Sequence, residues 1–144
     1  MSKFPVLLSV DELNDFLVRN SSTGDGERPV SAVAPGRLSL IRPMTTTMLR
    51  PGNIISGPTL MTTCDMAGFL LVIAHAGDQM ATVTSSLSIQ FLRAARPGDI
   101  HAEAELLSFG RRRAVCDIRV WTEDQDRPAV QATATFARPL ADDA

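Results

Sequence analysis

The chain has 144 residues, 44% hydrophobic and 21% charged, which are the proportions of one globular domain large enough to bury a core. Its formal net charge of -2 leaves no basic surplus for a phosphodiester backbone, so nucleic acid is not an expected partner. No run approaches the ~20 consecutive apolar residues that cross a bilayer, and the N-terminus lacks the basic and apolar segments of a secretory leader; a cytoplasmic protein without membrane contact is expected.

In chain order, Ser9-Val10-Asp11-Glu12 has the form of a capping box, in which a hydroxyl and a carboxylate each satisfy a free amide at a helix start. Leu13, Phe16 and Leu17 continue it at helical spacing, which predicts an amphipathic helix over about residues 9–20. Ser21 to Glu27 is polar and contains glycine, the composition of a loop. Val30 to Val33 and Arg37 to Met44 read as strands divided by a Pro35-Gly36 turn, and Thr45, Thr46 and Thr47 prolong the strand tendency. Arg50-Pro51-Gly52-Asn53 breaks that pattern.

A long helix is predicted from near Ser56 to Ala76, with Gly57 and Pro58 in its first turn and Gly77 at its end. Leu60, Met61, Cys64, Ala67, Gly68, Leu71, Val72 and Ala74 leave it almost no polar face, so burial nearly all round is expected. Four strands follow, at Ala81 to Leu92, Ile100 to Phe109, Ala114 to Thr122 and Ala129 to Phe136. Consecutive strands joined by short turns favour an antiparallel meander packed on the helix, an α+β arrangement. Residues 1–144 are expected to form a single domain, with its core over about 28–138.

Asp65 is the only carboxylate within the long apolar helix, where a charged group is costly to bury. It either lies at a wet seam or pairs with an arginine such as Arg93, or it is functional. Partial burial disfavours a charged carboxylate and would poise it as a general base or nucleophile. At the helix start, free amides near Gly57 favour negative charge, and Asn53 upstream offers a side-chain amide. Alone, Gly57-Pro58 can equally be a plain helix opening. Arg111-Arg112-Arg113 is either a solvated hairpin tip or a clamp for substrate phosphates.

His75 falls near the helix end and His101 near a strand start, and both read as structural. Neither a G-x-S-x-G elbow nor a glycine-rich phosphate loop is present. Cys64 and Cys116 lack zinc-site spacing and read as reduced core residues; neither a metal nor a cofactor is expected.

Three segments together resemble the PaaI-like branch of the hotdog-fold acyl-CoA thioesterases: Asn53 to Asp65, Thr82 to Asp99 with its Phe-Leu-Arg-x-Ala-Arg-Pro-Gly-Asp end, and Gly110 to Val115. The resemblance spans about residues 35–138. It implies a helix wrapped by an antiparallel sheet, and a homodimer, or a homotetramer built from two such dimers, with active sites at the dimer interface.

It further implies hydrolysis of a small, medium-chain or aromatic acyl-CoA thioester, with Gly57 as oxyanion donor, Asn53 holding the carbonyl or water, Asp65 as the acid group and Thr84 orienting it. Ser56, Ser85, Ser86, Arg93, Arg111 and Arg112 would bind the substrate and its coenzyme A tail. This sequence has Ser56-Gly57-Pro58 where the family pattern usually has His-Gly-Gly. That departure keeps open a non-catalytic acyl-CoA or acyl-ligand binding protein on the same fold. A hotdog hydratase or dehydratase fits less well, since neither histidine falls at the helix start.

Overall fold

The computed structural model describes residues 4–20, 26–77 and 81–139. Most of the expected loop after the first helix (residues 21–25), together with Met80, lies outside the described residues. Helix α1 spans Val10–Asn20, and its capping box is formed: the Ser9 amide donates to Glu12 Oε1 and the Glu12 amide to Ser9 Oγ, each at 3.1 Å. Leu13 and Phe16 are buried. Buried Asn14 fixes α1 to the sheet, its side-chain amide donating to Val30 O at 3.0 Å and its oxygen accepting from Val30 N at 2.9 Å.

Strands β1 (Val30–Ala34) and β2 (Arg37–Arg42) form a hairpin. Thr46–Met48 is a short 3-10 turn, not the strand continuation expected from three threonines. Leu49–Arg50 (β3) and Ile54–Ile55 (β4) then pair as a small separate hairpin across Pro51-Gly52-Asn53. Turn-forming residues between short apolar pairs carry that signal, whereas the sequence pattern predicts only a break.

Helix α2 runs from Gly57 to Ala76. By length and composition it could cross a membrane, yet from Leu70 through His75 every residue is buried by the surrounding sheet and α1. It is the core helix. Burial is not complete all round, however: Pro58, Met61 and Thr62 are exposed, and Asp65, Met66 and Phe69 only partly covered. The sheet curves round one side of the first half and leaves the opposite flank open.

The six-stranded sheet has the order β1-β2-β6-β7-β8-β5, where β5 is Val83–Phe91, β6 Ile100–Phe109, β7 Arg113–Trp121 and β8 Val130–Ala137. All its pairings are antiparallel. The expected meander therefore holds for β6, β7 and β8, while β5 is carried to the far edge and pairs with β8. Strands β6, β7 and β8 alternate buried residues with partly exposed ones, their apolar sides closing on α2. Contact is closest at Gly68, where an added Cβ would stand 2.7 Å from the buried Phe136 ring.

Candidate active site

The first turn of α2 has few spare donors. Ser56 is the N-cap, its Oγ accepting from Thr59 N at 3.3 Å and lying 2.8 Å from Thr59 Oγ1. Leu60 N already bonds Ser56 O at 3.1 Å, and Pro58 has no N–H. Among the described residues the Gly57 amide is thus the one N–H of this turn left without an acceptor, and it sits where the helix dipole is positive.

The same turn is braced from behind. Arg42, largely buried on β2, donates through Nη1 to Thr63 Oγ1 at 2.9 Å and through Nε to Glu27 Oε1 at 3.0 Å. Thr63 Oγ1 donates on to Thr59 O at 2.8 Å. Sequence reasoning missed this chain because a lone arginine on a strand gives no sign of its partner.

Asp65 lies on the open flank of α2, where Thr84 Oγ1 donates to its Oδ1 at 2.5 Å. It has no ion pair among the described residues, and Arg93 donates instead to Pro128 O at 2.6 Å. The wet-seam and arginine readings of Asp65 thus separate: the carboxylate faces a hydroxyl at an accessible edge, with Oδ2 left over.

A β-bulge creates that contact. Thr84 pairs with Phe136 and Ser86 with Thr135, so Ser85 is an extra residue in β5. Leu87 and Ile89 pack on the core and Phe91 reaches Gly57, which makes the odd-numbered residues the α2-facing set. Strict alternation would turn Thr84 outward with Ser86. The extra residue re-aims it toward Asp65.

The remaining candidates are spread around this edge. Asn53 occupies the β3–β4 turn with a positive φ of 58°, exposed, and its side chain forms no hydrogen bond among the described residues. Ser85 Oγ bonds Thr135 O at 3.2 Å, and Ser86 is exposed on the outward face. Arg93 lines a groove of about 450 Å³ with Arg96, Arg127, Glu123 and Asp124. Arg111 and Arg112 are exposed at the β6–β7 turn, at the Val83 end of β5, because Val83 and Arg113 both pair with Ala137.

The histidines are engaged elsewhere. His75 accepts from Gly36 N at 2.9 Å through Nε2, while Nδ1 lies 2.9 Å from Leu71 O; it joins the β1–β2 turn to α2. His101 stacks on Trp121 with centroids 5.6 Å apart. Cys64 and Cys116 are free and buried. Burial, joined at Cys64 by the charge of Asp65, pushes both thiols up to about 12.

Residues 52–129 match the family model described as the thioesterase superfamily. A crystal structure from Silicibacter sp., described as a candidate thioesterase, is 30% identical, with a TM-score of 0.85 over 94% of this chain and 95% of that one. The Escherichia coli PaaI protein from the phenylacetic acid degradation operon is 19% identical, with a TM-score of 0.75 over 90% and 92% of the two chains. A hypothetical thioesterase from Streptococcus pneumoniae, solved with coenzyme A, is 23% identical, with a TM-score of 0.67 over 76% and 83%. These structures share the hotdog arrangement of one long helix wrapped by an antiparallel sheet. No curated protein matches the chain.

Proposed function

Because the chain belongs to the thioesterase superfamily, we propose that it hydrolyses acyl-CoA thioesters, with Asp65 and Gly57 as the catalytic pair. The observation that carries this reading is the Thr84–Asp65 hydrogen bond on the uncovered flank of α2, with no cation neutralising the carboxylate among the described residues. A carboxylate held at Oδ1 by a hydroxyl donor presents Oδ2 to water in a fixed direction.

Within one chain the two groups are too far apart. Gly57 and Asp65 are eight residues apart on α2, roughly 12 Å along the axis at the usual rise, so one carbonyl carbon cannot meet both. A second copy supplies the missing half. Strand β5 is one of the two edge strands of the sheet, with Val83 and Phe91 exposed at its two ends. In an antiparallel pair, inward-facing residues oppose inward-facing ones. A two-fold axis through Ser88 sets Leu87 opposite Ile89 of the second copy and the Thr84–Ser85 bulge opposite its Phe91. Since Thr84 holds Asp65 and Phe91 covers Gly57, the acid of one copy arrives beside the free amide of the other.

In that site the thioester oxygen accepts from the Gly57 amide, and the side-chain amide of Asn53 helps hold the carbonyl or the attacking water. Asp65 takes a proton from water as its oxygen bonds to the carbonyl carbon, and Thr84 keeps the carboxylate oriented. The carbon–sulfur bond breaks, and the departing thiolate recovers the proton. Arg93, Arg111 and Arg112 would meet the phosphates of the coenzyme A tail, while Ser56, Ser85 and Ser86 lie along its route.

The test is thiol release from a panel of acyl-CoA esters by wild type and Asp65→Asn. Loss of a general base lowers turnover by about 10²–10⁴, and the isosteric variant should stay folded and associated. Unchanged turnover removes Asp65 from the chemistry. Ligand binding by wild type with no thiol release from any ester selects the binding-protein reading, which the capped, proline-containing start of α2 keeps in view.

A further inference from the structure

The α2-facing side of β5 ends in an aromatic ring placed against the proposed oxyanion donor. If Gly57 carried a Cβ, the Cε1 and Cζ atoms of Phe91 would lie 3.8 Å from it. The glycine thus does not open onto empty space; the room beside it is already taken by a ring that is itself 53% exposed. That ring has a fixed base. Leu92 N donates to Ala129 O at 2.7 Å immediately after it, and Ile55 N donates to Ala95 O at 2.9 Å, tying the following loop to the approach to α2.

We propose that Phe91 determines acyl selectivity, forming the wall beside the Gly57 amide that accepts an acyl group unbranched next to its carbonyl and rejects a branched one. This rests on the hydrolytic reading above. A carbonyl oxygen bonded to the Gly57 amide at ~2.9 Å brings its carbonyl carbon and the next carbon within reach of the ring. A methylene chain can lie along an aromatic face. A second substituent on that carbon points into it. The two-fold pairing proposed above also puts this ring opposite Ser85 in the bulge of the second copy, next to the Thr84 that holds Asp65, and so between donor and acid.

The experiment compares kcat/KM for butyryl-CoA and isobutyryl-CoA, equal in carbon number and differing only in branching, in wild type, Phe91→Leu and Phe91→Ala. Wild type should favour the linear ester. A branching methyl group in a tight pocket commonly changes kcat/KM by about 10- to 200-fold. The linear-to-branched ratio should therefore fall at least about tenfold in Phe91→Ala, by gain on isobutyryl-CoA, with Phe91→Leu between. Molecular mass in solution is measured for each variant; if Phe91→Ala no longer associates, Phe91→Leu decides, with a threefold fall as the threshold.

A ratio unchanged within twofold in the deciding variant overturns the proposal, as does wild-type turnover of neither ester. Asp65→Asn run in parallel separates the two layers. Retained turnover in that variant removes Asp65 from the chemistry, and no thiol release by wild type from any ester defeats the hydrolytic reading, whereas turnover lost in Asp65→Asn with an unmoved ratio defeats only the role of Phe91.

Discussion

The same substitution at two glycines of α2 should have different consequences for stability, a loss at one and almost none at the other. At Gly68 a Cβ would stand 2.7 and 2.8 Å from Phe136 Cε2 and Cζ and 3.3 Å from Ile118 Cδ1, and both of those side chains are fully buried. Neither can swing away. Alanine in a helix interior gains about 1 kcal/mol over glycine, but forcing extra volume into a packed core costs about 1–3 kcal/mol. Gly68→Ala should therefore lose up to about 2 kcal/mol net, lowering Tm by as much as about 8 °C for a domain of this size.

At Gly57 the nearest atom is 3.8 Å away and belongs to the exposed Phe91 ring, so Gly57→Ala should stay within about 0.5 kcal/mol of wild type. Urea unfolding followed by far-UV circular dichroism measures both. Combining Gly68→Ala with Phe136→Leu tests the cause, because the double variant should be more stable than the sum of the single effects by about 1 kcal/mol. A Gly68→Ala protein more stable than wild type, or strict additivity with Phe136→Leu, would refute the reasoning.

Three further outcomes are expected. Asn14→Leu leaves the Val30 N–H and C=O without their buried partners and should destabilise by about 2–4 kcal/mol, read from the urea midpoint. The thiols of Cys64 and Cys116, pushed up to about 12 in the folded chain from an ordinary thiol value of 9.0, stay protonated when the unfolded chain has released its protons. Their contribution is complete below pH 9 and is lost as pH rises toward 12, so the urea midpoint should fall over that window, and by less in Cys64→Ala/Cys116→Ala. Arg111→Ala with Arg112→Ala should raise KM for an acyl-CoA about fivefold with kcat retained, and should leave the corresponding acyl-pantetheine, which lacks the nucleotide phosphates, unaffected.

Much of the fold was legible because it rests on local chemistry. The Ser9–Glu12 box, the apolar run after Gly57 and the strand-like run over residues 100–109 each identify an element locally, and each element forms within a residue or so of its expected bounds. What was not legible depends on partners distant in sequence. No periodicity in Val83–Phe91 announces that this strand leaves its successor and joins β8. The bulge at Ser85 is equally silent, since a serine-rich strand reads the same in either register. Asp65 stood out as a carboxylate in apolar company, and Thr84 was reached through resemblance. The contact of Phe91 with Gly57, across more than thirty residues of chain, had no local signature.

The Asn14 clamp has a consequence for how far assembly can go. Open strands invite neighbours, and a sheet with two open sides could add copies without limit. Here α1 and the Asn14 side chain occupy the main-chain groups of Val30 at the β1 side, and a register irregularity between Val30 and Ala32 disrupts what is left. That leaves the β5 side for another strand, and the two-fold pairing proposed there would consume it. The fold thereby carries its own stop against fibre growth, and loss of Asn14 should be felt as turbidity on storage before it is felt at the site.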